Sequence, residues 1–222
     1  MSDNPELGVC YYPEHWSEDL WITDAKNIQK NGIKWVRIAE FAWSRIEPNP
    51  GDFNWNWLDK IVDILGNNNL KIIMCTPTAT PPKWLVDQMP DMVAIDENGQ
   101  ARKFGSRRHY SFSHKGYQKE SQRITQAVAE RYGQNKYVQA WQTDNEYGCH
   151  ETTYSWCKSS LTEFRVWLKK NIKILMTLIS LGVMFFGLWN IVHLMKLIFP
   201  ILLLQKQIHH IILIFENLVL SK

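Results

Sequence analysis

The chain has 222 residues, enough for one domain with a substantial core but short of the roughly 250 residues that a complete eight-unit barrel needs. Its formal net charge of +3 comes from scattered Lys and Arg residues, which argues against a nucleic-acid partner. The N-terminal sequence lacks the basic and apolar regions of a secretory signal, which predicts a cytoplasmic location. Four widely spaced cysteines fit neither a CxxC motif nor a disulfide framework, so we expect buried free thiols.

Apolar runs alternate with amphipathic segments along the chain. We predict strands at residues 8–13, 35–41, 71–77 and 137–146, and helices at 18–30, 57–65, 82–88, 117–132 and 156–170. Strands that alternate with helices are typical of a parallel sheet. A doubly wound sheet is disfavoured because no Gly-rich phosphate loop follows the first strand. The four units predict an α/β fold that forms the first half of a (β/α)8 TIM barrel.

One segment departs from this alternation. Residues 92–104 (MVAIDENGQARKF) contain Asn98-Gly99, which is a strong two-residue turn signal and predicts a β-hairpin. Residues 105–114 (GSRRHYSFSH) carry many polar and aromatic side chains without periodicity, which predicts a loop. We interpret the hairpin as an insertion beside the mouth of the barrel.

The candidate catalytic residue lies where the fourth predicted strand ends, in the sequence Asp144-Asn145-Glu146. A carboxylate at the carboxyl end of a parallel strand, beside an amide and aromatic residues, has the parts of a sugar-cleaving acid/base site. The alternative is a Glu that only caps the next turn. In the second strand, Arg37 and Glu40 are charges within a mostly apolar run, so each needs a partner or a function.

Five stretches together resemble a known family: GVCYYPEHW, WVRIAEFAWSRIEP, TPTATPPKWL, the SRRHY loop and WQTDNEYGCH. They occur in the order found in the N-terminal part of the catalytic barrel of glycoside hydrolase family 42, the β-galactosidases. The resemblance covers about residues 7–170.

The resemblance implies hydrolysis of terminal non-reducing β-D-galactose residues in β-D-galactosides by a retaining two-carboxylate mechanism. Glu146 would be the proton donor and acid/base, and Asn145 would hold the sugar 2-hydroxyl. Arg107 and Arg37 would bind substrate. The family's nucleophile follows the seventh strand, beyond the matched stretch, so we expect it to be absent and this truncated chain to be inactive.

The resemblance also bears on cofactors and partners. Some family members bind zinc through four Cys, and the matching positions here are Ser111, Ser155, Cys157 and Ser160. One thiol is too few for a structural zinc site, so we predict no metal and no cofactor. The expected partner is a β-galactoside substrate, and full-length relatives are expected to be homo-oligomers.

The composition changes after residue 170, so we divide the chain into an N-terminal half barrel at 1–170 and an apolar tail at 171–222. We interpret the tail as out-of-frame translation, because synonymous codons read in a shifted frame permit strings that resemble the family. A rival interpretation is a transmembrane anchor, since about 20 apolar residues can span a bilayer. The chain would then be a membrane-anchored galactoside-binding module without catalysis. A third possibility is another retaining glycosidase, acting on glucosides or mannosides.

Overall fold

The computed structural model describes residues 5–106, 108–147 and 154–180. The chain divides into two compact units. The described part of the first unit comprises residues 5–88 and 121–146. That of the second comprises residues 89–106, 108–120, 147 and 154–180.

The first unit contains a four-stranded parallel sheet in the order β1-β2-β3-β4, with β1 Gly8–Cys10, β2 Trp35–Ile38, β3 Lys71–Cys75 and β4 Val138–Gln142. Arg37 lies opposite Ile73 on β3, and Gln142 lies opposite Cys75. Because all strands run in the same direction, their carboxyl ends meet at one edge. The predicted α/β class with a parallel sheet is confirmed.

Six helices lie among the described residues: α1 Trp21–Lys30, α2 Trp43–Ile46, α3 Asn56–Asn67, α4 Lys83–Gln88, α5 Lys115–Tyr132 and α6 Lys158–Ser180. Short 3₁₀ turns follow the ends of β1 and β3, at Pro13–His15 and Pro77–Ala79. In both turns Pro stands in the first turn, where its missing N–H needs no partner. The turns redirect the chain immediately after the two strands.

The core of the first unit forms between the sheet and helix α3. Alternate residues of β2 and β3 are fully buried, and α3 buries an apolar face at helical spacing (Trp57, Leu58, Ile61, Val62 and Leu65). Helix α3 contacts both α1 and β3. A side chain at Gly66 could not fit, because its Cβ would lie 2.1 Å from the Tyr137 ring.

The apolar runs of β1 and β4 are typical of buried strands, but both strands are more exposed than this pattern indicates. They form the two edges of the four-stranded sheet, and all of their residues are half-buried or exposed. An apolar run indicates a strand, but burial depends on what covers it. Among the described residues these two strands each pair on one side only.

The predicted hairpin exists in a reduced form. A single antiparallel bridge joins Ile95 to Ala101, and the backbone N–H of Asp96 donates to the carbonyl oxygen of Gln100. The loop holds three residues rather than two, because the Asp96 carboxylate accepts hydrogen bonds from the backbone N–H groups of Asn98 and Gln100. Gly99 takes the left-handed conformation, with a φ of 78°.

Helix α6 continues to Ser180, past the boundary placed at residue 170. The residues after Lys170 are mostly apolar helix formers, which explains why the helix does not stop there. None of the helices within the described ranges is both long and apolar enough to cross a bilayer. Residues 181–222, on which the anchor and out-of-frame interpretations of the tail mainly rest, lie outside the described residues.

Candidate active site

The carboxyl ends of β2 and β4 are joined by polar side chains. The Arg37 Nη1 atom donates a hydrogen bond of 2.8 Å to Oε1 of Gln142. Its Nη2 atom lies 2.8 Å from Oε1 of Glu40. The two charges that the sequence placed in the second strand therefore compensate each other, while Arg37 also reaches across β3 to β4.

Glu40 is an unusual residue because it is a carboxylate with no solvent exposure. Neither of its oxygens accepts a hydrogen bond of good geometry from the described residues, so Arg37 balances its charge by proximity. Tyr12 and Cys75 lie near enough to feel this charge. Burial first, and then the charge of Glu40, raises the pKa of both side chains.

Gln142 carries the connection from Arg37 to the predicted site. Its Nε2 atom donates to the carbonyl oxygen of Asp144 at 2.8 Å and to Oδ1 of Asn145 at 3.2 Å. We call Glu40, Arg37, Gln142 and Asn145 the strand-end network. Asn145 is 8% exposed, so its amide lies largely out of solvent.

A second set of bonds holds the backbone after β4. The hydroxyl of Thr78 donates to Oδ2 of Asp144 at 2.8 Å, and the Asp144 N–H donates to Oγ1 of Thr76 at 2.7 Å. Oδ1 of Asp144 accepts from the N–H of Asn145 at 2.6 Å. Asp144 has no solvent exposure, so its hydrogen bonds hold the backbone after β4 from the buried side.

The backbone at this point is strained. Asp144 and Glu146 both take the left-handed conformation, with φ values of 55° and 46°. Such conformations cost about 1 to 3 kcal/mol for residues other than Gly and are concentrated at functional sites. Glu146 is exposed, whereas Asp144 and Asn145 are buried. The turn therefore places an exposed carboxylate residue directly after two buried ones.

The structure describes three of the four predicted site residues. Arg37 and Asn145 lie on either side of Gln142 and contact it directly. Glu146 follows Asn145 on the exposed side. Arg107 lies outside the described residues.

Sequence reasoning missed several residues that build this site, namely Gln142, Thr76, Thr78 and the anchoring role of Asp144. The threonines stand directly after β3, in the sequence CTPTAT, and Gln142 is the last residue of β4. Polar residues at the ends of neighbouring parallel strands are a signal that could have found them. Their pairing across 66 to 105 residues needs the strand register.

The second unit holds a group of neutral polar side chains around Ser111, Cys157 and Ser160, three of the four positions that the family resemblance matches to zinc ligands. The Cys157 Sγ atom lies 3.2 Å from Oγ of Ser111 and 3.3 Å from Oγ of Ser160, which in turn contacts Ser113. We call Ser111, Ser113, Cys157 and Ser160 the hydroxyl–thiol cluster. Ser155 lies beside it and accepts a hydrogen bond from the Cys157 N–H.

This cluster lacks the donor set of a metal site. Within the described parts of the chain, no three His, Cys, Asp or Glu side chains are grouped to hold a metal ion. Burial favours the neutral thiol of Cys157, but hydrogen bonding with Ser111, Ser155 and Ser160 outweighs that effect and lowers the pKa of the thiol. The absence of a bound metal stays a prediction.

A parallel α/β sheet whose fourth strand is followed by an amide–carboxylate pair is an arrangement found in barrel glycosidases. A family model for glycoside hydrolase family 42, described as β-galactosidase, matches residues 10–181. The chain belongs to this family. The resemblance stated from the sequence is thereby confirmed.

Individual relatives agree. The chain is 50% identical over 163 residues to a β-galactosidase from Thermus thermophilus, a match that covers 73% of this chain and 25% of the relative. The crystal structure of a β-galactosidase from the psychrophilic Marinomonas ef1 superposes with a TM-score of 0.74 at 53% identity, over 75% of this chain and 26% of that one. For the enzyme from Halorubrum lacusprofundi the TM-score is 0.73 at 45% identity, over 75% of this chain and 25% of that one.

The covered shares show which part of these enzymes the chain matches. It spans about a quarter of the length of the relatives it matches, and that quarter is their N-terminal part. Its parallel sheet therefore corresponds to the first part of the family's TIM barrel.

Proposed function

We propose that this chain carries the acid/base half of a retaining β-galactosidase site, with Glu146 as the proton donor and acid/base. Asn145 holds the 2-hydroxyl of a terminal β-D-galactosyl residue, and Arg37 and Arg107 bind the same sugar. The observation that carries the proposal is the contrast between a buried, hydrogen-bonded Asn145 and an exposed Glu146 next to it.

The chemistry explains why this contrast matters. A general acid must reach the glycosidic oxygen, so it needs to stand at the open side of the site. A residue that binds the 2-hydroxyl must instead be fixed, because its hydrogen bond strengthens as the oxocarbenium-like transition state forms. The strained turn from Asp144 to Glu146 supports both requirements at adjacent positions.

A retaining mechanism also requires a second carboxylate about 5 Å from the first, as nucleophile. The family resemblance places that residue after the seventh strand, beyond the part of the relatives that this chain matches. We therefore propose that the chain binds β-galactosides without hydrolysing them. The cytoplasmic location, the absence of a cofactor, and the division into a half barrel at 1–170 with an out-of-frame tail at 171–222 complete the proposal.

Exchange into an active relative tests the roles of the residues. Residues 7–170 would replace the matching part of the Marinomonas ef1 enzyme, to which the chain is 53% identical. We expect this chimera to hydrolyse o-nitrophenyl β-D-galactoside, while the chain alone shows no turnover. Activity on the corresponding β-glucoside or β-mannoside that equals or exceeds activity on the galactoside would contradict the proposed specificity.

The acid/base role has its own signature in the chimera. Glu146→Gln should lower kcat/KM by at least about a hundredfold on a substrate with a poor leaving group. The loss should be smaller for nitrophenyl leaving groups, which need little protonation, and azide should accelerate turnover by attacking the glycosyl-enzyme in place of base-activated water. Glu130→Gln, at an exposed position on α5, is the matched control. Equal losses for all leaving groups would contradict the role.

A further inference from the structure

The hydrogen bonds of the strand-end network run in one direction. The guanidinium group of Arg37 can only donate, so the side-chain oxygen of Gln142 must be the atom that faces it. That assignment places the Nε2 amino group of Gln142 on the opposite side. The orientation of this amide is thus set by the charge of Arg37, which Glu40 compensates.

The neighbours on the other side require the same orientation. The carbonyl oxygen of Asp144 can only accept, and it lies 2.8 Å from Nε2 of Gln142. Nε2 also donates to Oδ1 of Asn145 at 3.2 Å. Gln142 is therefore constrained from both ends, by a donor in β2 and by an acceptor in the turn after β4.

Gln142 in turn constrains Asn145, because the side-chain oxygen of Asn145 accepts a hydrogen bond from Nε2 of Gln142. We propose that Gln142 is a positioning residue that keeps the Nδ2 amino group of Asn145 as the donor offered to a sugar hydroxyl. This inference rests on the proposed function, in which Asn145 holds the 2-hydroxyl. It assigns the direction of that hydrogen bond and the residue that sets it.

The direction has chemical consequences. An amide turned by half a rotation would present an oxygen, and a hydroxyl bound to that oxygen would have to donate its proton. With Nδ2 as donor, the sugar oxygen accepts, and its own proton points to another acceptor. Asn145 is 8% exposed, so water compensates poorly for a wrongly turned amide.

A charge change at Gln142 tests the inference in the full chain. In Gln142→Glu the carboxylate still accepts from Arg37 but can no longer donate to Asn145. The Asn145 amide must then turn its Nδ2 group toward residue 142. Gln139→Glu is the matched control, because Gln139 lies on the same strand and is exposed, and among the described residues its side chain reaches only the carbonyl oxygen of Lys136 at 3.5 Å.

Two readouts are needed, both from ¹⁵N-labelled protein. The first is the chemical shift of the Asn145 side-chain NH₂ group without ligand. The second is the affinity for D-galactose relative to 2-deoxy-D-galactose, which lacks the hydroxyl in question. In Gln142→Glu we expect a displaced NH₂ resonance and a D-galactose affinity lowered about fivefold, the size of a single neutral hydrogen bond, with 2-deoxy-D-galactose unaffected. Gln139→Glu should change neither.

Unchanged NH₂ resonances together with an unchanged ratio of the two affinities in a folded Gln142→Glu protein would overturn the inference. If that variant loses the dispersed spectrum of a folded chain, Gln142→Met decides instead, since it removes the hydrogen bonds without adding charge. It should give a second Asn145 NH₂ resonance, and a single unmoved resonance would again overturn the inference. If the natural chain binds neither sugar, the proposed function fails, while the NH₂ resonances still decide the role of Gln142.

Discussion

The strand-end network and the hydroxyl–thiol cluster both bury polar side chains, and they differ in how many of their hydrogen bonds have a fixed direction. In the strand-end network, Arg37 can only donate hydrogen bonds, and it compensates the charge of Glu40, which has no solvent exposure. Arg37 therefore fixes which side-chain atoms of Gln142 and Asn145 donate and which accept. In the hydroxyl–thiol cluster, either atom can be the donor between Ser111 and Ser160 and between Cys157 and Ser160.

This difference predicts how each region responds when a substitution removes one of its hydrogen-bonding side chains. A rotating hydroxyl can exchange one partner for another, so the cluster can redistribute its bonds. A network fixed by charge cannot, because the remaining partner keeps a buried charge or a misdirected amide. We expect substitutions in the strand-end network to have larger effects on stability, because the lost hydrogen bonds are less readily replaced by others.

The largest effect is expected from Arg37→Met. This substitution leaves Glu40 fully buried without its compensating cation, and we expect the free energy of unfolding to fall by about 3 kcal/mol. Arg37→Met/Glu40→Gln should recover part of the loss because it removes the stranded charge. Urea unfolding at neutral pH measures both.

The control for this prediction is an ion pair in solvent. Lys83 and Asp87 on α4 are both more than half exposed, so Lys83→Met should change the free energy of unfolding by less than about 0.5 kcal/mol. A double variant no more stable than Arg37→Met would show that the buried charge of Glu40 is not the cause of the loss.

The second effect concerns the support beneath the site. Thr78→Val keeps the shape of the side chain and removes the hydrogen bond to the buried carboxylate of Asp144, which should destabilise the chain by about 2 kcal/mol. Thr80→Val is the matched control. The Thr80 hydroxyl is buried without a hydrogen-bond partner in the described residues, so its loss should be neutral or stabilising. Equal losses for the two variants would mean that Asp144 is not anchored through Thr78.

The sequence predicted the fold better than it predicted this network. Strand and helix order followed from apolar runs and helical spacing, which are local properties. The exposure of β1 and β4 did not, because an edge strand and a central strand can share one pattern. The short helix α2 was missed because four residues carry too little periodicity.

The candidate site was likewise predicted from the sequence only in part. The family motif indicated Asn145 and Glu146 as candidate site residues, and the isolated charges of Arg37 and Glu40 indicated that each needed a partner. The contact between Gln142 and Arg37 could not be predicted, because Arg37 lies 105 residues earlier and only the register across β3 brings the two side chains together. Long-range pairing is a tertiary property that no local pattern encodes.

A third, smaller effect should depend on pH. Both carboxylate oxygens of Glu14 are buried without a hydrogen-bond partner among the described residues. Burial raises the pKa of Glu14, outweighing the opposing effects of its own backbone N–H, of His15 and of Arg45, and the charge of Glu40 adds to the rise. The folded state therefore binds a proton more tightly than the unfolded state, so Glu14 destabilises the fold increasingly as the pH rises from the unfolded pKa through the folded one.

Glu14→Gln removes this destabilisation. At neutral pH we expect the variant to be more stable than the natural chain by about 1 kcal/mol, and the difference should vanish below about pH 4, where the carboxyl is neutral in both states. Glu130→Gln, on an exposed position, should show no such dependence. Thermal unfolding across this pH range measures it, and a stability gain that is constant with pH would contradict the titration of Glu14 as its cause.

The smallest effect is expected in the hydroxyl–thiol cluster. Ser111→Ala removes the hydrogen bond between Cys157 and Ser111, so the pKa of the thiol should rise. Stability should change by less than about 1 kcal/mol, because Ser160 can direct its hydroxyl to the sulfur. Ser113→Ala is the matched control, since Ser113 contacts Ser160 and not the thiol. The ¹³Cβ shift of Cys157 followed against pH measures the pKa. An equal rise in both variants would mean that the cluster acts as one coupled unit, which would remove the contrast with the strand-end network.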